Sequence, residues 1–224
     1  ALDLDAECTL ALEDGGRDPD TPWSNYVRGV LAGLQARGAA PRALQAGYAG
    51  DLPQGAGLSS SAAVEVSAGL ALAALFGLDV PRLEMARLCH RAEVEYAGVR
   101  CGLLDQVSSL FAREGELVFT DFRDLSVRHV PVPPGLCFLV VDTGVAHALV
   151  DSEYNARRQQ CEAARDALAR RLERPVRALR DVTPDEFETH RAALDATAAR
   201  RAAHVIGENE RVLRSVDDLE AGDA

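Results

Sequence analysis

The segment Pro53–Ser61 constrains this chain more than any other, because it joins a glycine and serine loop to an apolar stretch without a break. It reads PQGAGLSSS and continues into alanine, valine and leucine. Its glycines allow positive φ angles that turn several backbone N–H groups toward one point, and the dipole of the following helix favours an anion there. A flexible linker is the alternative, and it fits less well because the serines lead directly into the helix. The segment therefore predicts an anion site at a helix N-terminus.

Charge and cysteine content exclude several classes of protein. The formal net charge is −11, and no lysine occurs in the 224 residues. Such a chain is a poor general partner for nucleic acid or an anionic membrane, and it cannot use a P-loop lysine. Backbone amides and a metal ion can still bind phosphate. Five scattered cysteines without a CxxC pair predict reduced thiols in a cytoplasmic protein, and no apolar stretch reaches the ~20 residues that span a bilayer.

Helices and strands are mixed in the predicted secondary structure without a regular βαβ alternation, which favours an α+β fold. Helices are expected over Pro22–Arg37, capped by Thr21, then from the serines to near Gly77, from Asp79 and Pro81 to about Ala97, and over Leu103–Ala112. Strands are expected over Ala46–Leu52, Glu116–Phe122, Ser126–Val132 and Leu136–Asp142. The chain is expected to be helical and rich in arginine and glutamate from Ser152 onward, with a capped helix start at Thr183-Pro184-Asp185-Glu186.

Two acidic residues stand at positions that allow either a chemical or a purely structural role. Glu93 lies on or beside the apolar face of a predicted helix, where a carboxylate either reaches solvent or binds a cation such as magnesium. Asp105 lies in the first turn of a predicted helix among leucines. It either stabilises the helix dipole or accepts a proton as a general base. The residues alone leave both alternatives open.

Trp23 and the charged segment that begins at Asp151 carry weaker signals. Trp23 is equally compatible with core packing and with a ligand contact. The run DSEYNARRQQCE is typical of a solvated helical face.

Four stretches resemble, in order, motifs of the galactokinases, sugar kinases of the GHMP superfamily. They are PQGAGLSSSAAVEV, RAEVEY, CGLLDQ and SEYNARRQQCE. The resemblance implies the α+β GHMP kinase fold, with a ribosomal-protein-S5-like N-terminal domain over residues 1–147 and the start of an α+β C-terminal domain over residues 148–224. It also implies ATP as co-substrate, Mg²⁺ as cofactor, galactose as the sugar, and a monomer in the cytoplasm.

The resemblance also implies roles for individual residues. Those expected around the ATP phosphates are Gly55, Ala56, Gly57, Leu58, Ser59, Ser60 and Ser61, with Trp23 beside the adenine. Ser61 and Glu93 would bind the magnesium ion, with Glu95 as the alternative if the register is shifted. Asp105 would be the catalytic base, and Gly102, Asp105 and Tyr154 would contact the sugar.

Two family features do not occur in the sequence. These are a first segment that carries a GEHTD-like stretch with a catalytic arginine, and a final GGGFGG motif. The chain is therefore expected to be a central fragment that lacks both, and to be inactive on its own. Another sugar kinase, a non-catalytic sugar sensor and an inert fragment are the alternatives. The intact set of Ser61, Glu93 and Asp105 favours an enzyme.

Overall fold

The computed structural model describes residues 1–11, 16–53, 56–99, 101–141 and 153–222. For residues 153–155 it describes the backbone only. The chain forms two compact units, one from the described residues of 1–129 and 138–150 and the other from those of 130–137 and 151–224. The helices are α1 (Ser24–Gln35), α2 (Ser60–Leu75), α3 (Arg82–Ala92), α4 (Leu104–Phe111), α5 (Glu153–Leu172), α6 (Pro184–His190) and α7 (Ala196–Ala221). The strands are β1 (Glu116–Asp121) and β2 (Ser126–Pro131).

Close contact between helices organises the first unit, because glycines stand where the helices meet. A Cβ atom built on Gly29 of α1 would lie 2.6 Å from the Cβ of Ala92 in α3, and one on Gly69 of α2 would lie 2.6 Å from the sulfur of Met85. Glycine is thus required at position 29 for α1 and α3 to approach, whereas at position 69 only the flexible Met85 side chain would have to move. The core between them is apolar and comprises Val27, Val30, Leu31, Leu34, Val66, Ala68, Leu72, Ala73, Met85, Ala86, Leu88, Cys89, Ala92, Val107 and Leu110.

The helix that contains Glu93 changes its geometry near its end. The α-helical part stops at Ala92, and the chain continues as a π turn over Glu93–Ala97. Gly98, with φ of 80°, closes the turn through a bond from its N–H to the carbonyl of Glu93. The prediction of a helix to about Ala97 is confirmed in extent, and the structure adds that its last turn is wider than an α-helical turn.

The start of α1 differs from the prediction that Thr21 caps it. Trp23 occupies the cap position and no side chain caps the helix. The Thr21 hydroxyl donates instead to Asp18 Oδ2 at 2.7 Å. The same carboxylate oxygen lies 2.9 Å from Nη2 of the buried Arg28. Thr21 therefore bonds to the carboxylate that neutralises Arg28, and it precedes the cap position by two residues.

Two predicted strands are wrong among the described residues. Ala46–Leu52 is irregular, and its backbone groups bond to the first residues of the chain: the Leu2 N–H donates to the Tyr48 carbonyl at 2.8 Å. The described part of Leu136–Asp142, up to Val141, is also irregular, and the Phe138 side chain is 67% exposed. Both runs have strand-like composition, but a strand needs a neighbour to receive its hydrogen bonds.

The predicted strands Glu116–Phe122 and Ser126–Val132 are confirmed to within one residue at their ends, as β1 and β2. They pair as a two-stranded sheet, and their short connection requires an antiparallel hairpin.

The second unit is built from α5, α6 and α7 around its own apolar core. The predicted cap at Thr183 is confirmed as a capping box, in which Thr183 and Glu186 exchange hydrogen bonds between side chain and backbone. The core consists of Ala164, Leu168, Val176, Leu179, Val182, Phe187, Ala198, Ala202 and Ile206. Of the helices that the structure describes, none has the length and hydropathy needed to cross a bilayer.

Candidate active site

The glycine and serine loop has the local geometry that the sequence predicts, in the part that the structure describes. Gly57 has φ of 75°, and Ser59 at the start of α2 also adopts a left-handed conformation with φ of 56°. Positive φ is unusual for a residue with a side chain, and at Ser59 it is consistent with the predicted role of this loop. No side chain of the described residues caps α2. The first turn of α2 thus remains open to an anion. Gly55 lies outside the described residues.

A buried polar cluster lies between α2, the π turn and α4. Glu65 is 0% exposed, Glu93 3% and Gln106 0%. The amide nitrogen Nε2 of Gln106 donates to Glu65 Oε2 at 3.0 Å and to Glu93 Oε2 at 2.6 Å. The thiol of Cys101 donates to the same Glu93 oxygen at 3.1 Å. Two carboxylates are therefore held next to each other by a single carboxamide in the interior of the first unit.

The environment of this cluster disfavours two negative charges. Burial, together with the charges of Glu93 and Asp105, raises the pKa of Glu65 to about 9 despite its hydrogen bond with Gln106. Burial also raises the pKa of the Cys101 thiol, as does its hydrogen bond to Glu93. The pKa of Tyr26 is raised by burial and by the two glutamates. At neutral pH the cluster thus contains a neutral Glu65 and a neutral Cys101.

The two predicted magnesium ligands, Ser61 and Glu93, are a hydroxyl and a carboxylate, a donor set that suits Mg²⁺ when nucleotide and water complete the coordination. Within the described ranges, no group of three or more histidine, cysteine, aspartate or glutamate side chains is arranged to hold a metal ion. Magnesium is commonly bound through one or two protein oxygens together with phosphate and water, so one carboxylate and one hydroxyl suffice. Both hydrogen bonds described for Glu93 fall on Oε2, which leaves Oε1 for another ligand. Ser61 lies half-buried in the first turn of α2.

Asp105 lies in the first turn of α4, next to Gln106. Its side chain is half-buried, and its charge contributes to the raised pKa of Glu65. Gly102, two residues before α4, is exposed. Helix α4 therefore carries both the predicted base and the amide that holds Glu93.

Trp23 lines a cavity of about 830 Å³ in the first unit. The other lining residues come from the first ten residues of the chain, from the irregular segment 41–48, from α1 and α2, and from Phe76 directly after α2. Trp23 is half-buried, so it is not a simple core residue. The lining includes neither the serines of the loop nor the buried glutamates. The cavity and the polar cluster are thus separate features.

Tyr154 lies in the first turn of α5, and its side chain falls outside the described set.

The sequence interpretation missed Glu65 and Gln106 as members of the site. A signal was present for Glu65, which falls at the spacing of the buried positions Ala62, Ala68 and Leu72 on α2. A glutamate in that row must be paired or protonated when it is buried.

Comparison with known proteins gives two findings. Residues 25–113 match the family described as the GHMP kinases N terminal domain. The galactokinase of Lactococcus lactis, solved in complex with galactose, is similar to this chain with a TM-score of 0.79 and 30% sequence identity. The similarity covers 96% of this chain and 55% of that one, so this chain spans about half the length of the galactokinase that it matches.

Proposed function

The chain has the predicted α+β fold of a galactokinase-like GHMP kinase, and on that premise we propose that it is the central part of an enzyme that transfers the γ-phosphoryl group of ATP to the anomeric hydroxyl of galactose. The observation that best supports this proposal is the position of Asp105 on α4, beside the amide that holds the buried Glu93. Residues 1–147 would form the nucleotide-binding domain and residues 148–224 the start of the second domain. The protein would act as a monomer in the cytoplasm.

The residues expected at the site divide into three tasks in this proposal. The loop Gly55–Ser61 binds the phosphates through backbone N–H groups and hydroxyls, and Trp23 contacts the adenine. Ser61 and Glu93 hold Mg²⁺, which neutralises charge on the phosphate oxygens when it is bound. Gly102 and Tyr154 contact the sugar.

Asp105 moves the proton in this reaction. The hydroxyl oxygen of the sugar forms a bond to the γ-phosphorus while the bond from that phosphorus to the bridging oxygen of ADP breaks. The proton of the hydroxyl passes to the carboxylate of Asp105. The protein otherwise positions the reactants and neutralises charge.

The test is a coupled assay for ADP release on the complete gene product that contains this chain, with galactose, N-acetylgalactosamine and arabinose compared at equal concentrations. We expect ATP consumption that depends on galactose and on Mg²⁺. Faster turnover of another sugar would reassign the substrate. Saturable binding of ATP and galactose without ADP release would indicate a non-catalytic sensor instead of an enzyme.

ATP binding can be followed separately in the 224-residue chain, because Trp23 is its single tryptophan. We expect ATP to change the fluorescence of Trp23 in a saturable manner. A Trp23 signal that does not respond to ATP, while ATP binding is detected by another method, would remove Trp23 from the adenine site.

A further inference from the structure

The carboxamide of Gln106 is the centre of the buried polar cluster. Its single nitrogen has two hydrogens, and each is directed to a different carboxylate, Glu65 Oε2 at 3.0 Å and Glu93 Oε2 at 2.6 Å. The reverse orientation of the amide would bring its oxygen against the acceptor oxygen Oε2 of Glu93, which is repulsive. The orientation of Gln106 is thus dictated by Glu93.

Two buried atoms of this cluster have no partner among the described residues. They are Glu65 Oε1 and Gln106 Oε1, and they belong to the two groups that already share one hydrogen bond. A buried polar atom without a partner is costly, so such atoms call for an explanation. A carboxylic acid and a carboxamide can exchange two hydrogen bonds in a ring, in which the acid O–H donates to the amide oxygen. A proton on Glu65 Oε1 would supply that donor and satisfy both atoms at once.

We propose that Glu65 and Gln106 are positioning residues that form an acid–amide pair and, through the remaining N–H of Gln106, fix the carboxylate of Glu93 for the metal ion. No arginine or histidine in the described part of the chain pairs with Glu65, so a neutral acid is the form that its surroundings stabilise. Neither residue would touch the reacting atoms. The inference rests on the proposed function for the role of Glu93, but the acid–amide pair does not depend on it.

The experiment compares two substitutions of Glu65 in the 224-residue chain. Glu65→Gln keeps a donor and an acceptor in place of the acid, whereas Glu65→Leu removes both at similar size. Glu114→Gln is the matched control, because Glu114 is exposed. The first readout is hydrogen exchange of the Gln106 side-chain amide by NMR, assigned by its absence in Gln106→Met. The exposed Gln159 serves as internal reference. The second readout is the affinity for Mn²⁺ in the presence of ATP.

We expect both Gln106 amide protons to exchange at least ~100-fold more slowly than those of Gln159 in the wild type, in Glu65→Gln and in the control. In Glu65→Leu, exchange should accelerate, and Mn²⁺ affinity should fall ~10–100-fold, as is usual when a partner of a metal ligand is lost. In Glu65→Gln that affinity should stay within ~3-fold of the wild type, because the isosteric amide restores the contact.

Three results would overturn the inference. They are rapid exchange of Gln106 in the wild type, unchanged exchange and Mn²⁺ affinity in a folded Glu65→Leu, and equal losses in Glu65→Leu and Glu65→Gln. A wild-type chain that protects Gln106 but binds no Mn²⁺ would instead contradict the metal assignment on which the proposed function relies. It would support the acid–amide pair alone.

Discussion

The buried acids of the first unit contrast with the acids at the surface of the second. In the first unit, Glu65 and Glu93 are buried and bonded through a neutral amide. In the second, Glu186 is partly exposed and bonded to Arg174, and Asp195 caps a helix at the surface. Surface pairs of this kind contribute little to stability, whereas buried acids without a cation are costly. The first unit therefore maintains an arrangement of buried acids that folding alone does not favour, as expected of a functional site.

The largest effect should come from Asp105, if the chemistry lies in the first unit. In the complete gene product, Asp105→Asn keeps the size of the side chain and removes the proton acceptor. We expect turnover to fall ~10²–10⁴-fold while ATP affinity changes only a few-fold. Asp185→Asn, an exposed aspartate in the first turn of α6, is the control in the second unit and should leave turnover unchanged. Equal effects of the two substitutions on turnover would contradict the division between the units.

The buried acid of the first unit should make stability depend on pH. The unfolded chain releases the Glu65 proton near pH 4.5, whereas the folded protein holds it until about pH 9. The contribution of Glu65 to the free energy of unfolding is therefore highest below pH 4.5. It falls by up to ~1.4 kcal/mol for each pH unit above that value until about pH 9.

Glu65→Gln should remove this decline, so its stability relative to the wild type should increase from pH 5 to pH 8. Urea unfolding of both proteins at several pH values measures the difference. A difference that stays constant over this range would show that Glu65 titrates normally in the folded protein.

A pair of glycine substitutions should have effects of opposite sign in the two units. Gly29→Ala places a methyl group 2.6 Å from the Cβ of Ala92 and should destabilise the first unit by about 1–3 kcal/mol. Gly207→Ala in α7 meets only the end of the flexible Arg211 side chain, at 3.3 Å, and should stabilise the second unit by about 0.5–1 kcal/mol. Chemical denaturation with a probe in each unit checks both. Stabilisation by Gly29→Ala would mean that α1 and α3 are not in close contact.

Effects of about 1 kcal/mol or less are expected at the helix caps. The Asp195 carboxylate accepts hydrogen bonds from the N–H groups of Thr197 and Ala198, each at 2.9 Å. Asp195→Ala should therefore cost the second unit about 1 kcal/mol, and Asp195→Ser should recover most of it. Ser59→Ala at the start of α2 should cost less, because no side chain caps that helix. A larger loss for Ser59→Ala in the absence of ATP would show that the Ser59 hydroxyl has a structural role.

The sequence could predict features that depend on neighbouring residues, but not features that depend on residues far apart in the chain. The capping box at Thr183 was predictable because both partners lie within three residues, and the positive φ of Gly57 because it is a property of one residue. The cluster of Glu65, Glu93 and Gln106 joins positions that are 13 to 41 residues apart, so no local pattern shows it. The strand predicted at Ala46–Leu52 failed for the same reason, since pairing depends on a distant neighbour.

The π turn over Glu93–Ala97 has a consequence for how related sequences should be aligned. In such a turn the backbone bond spans five residues where an α-helix spans four, so the turn is equivalent to one inserted residue. A homologue that had lost a single residue between Glu93 and Gly98 could close this turn as an ordinary α-helical turn, with the residues that follow in nearly the same positions. A one-residue gap at this point is thus compatible with a site in which Cys101 and Gln106 still reach the glutamate.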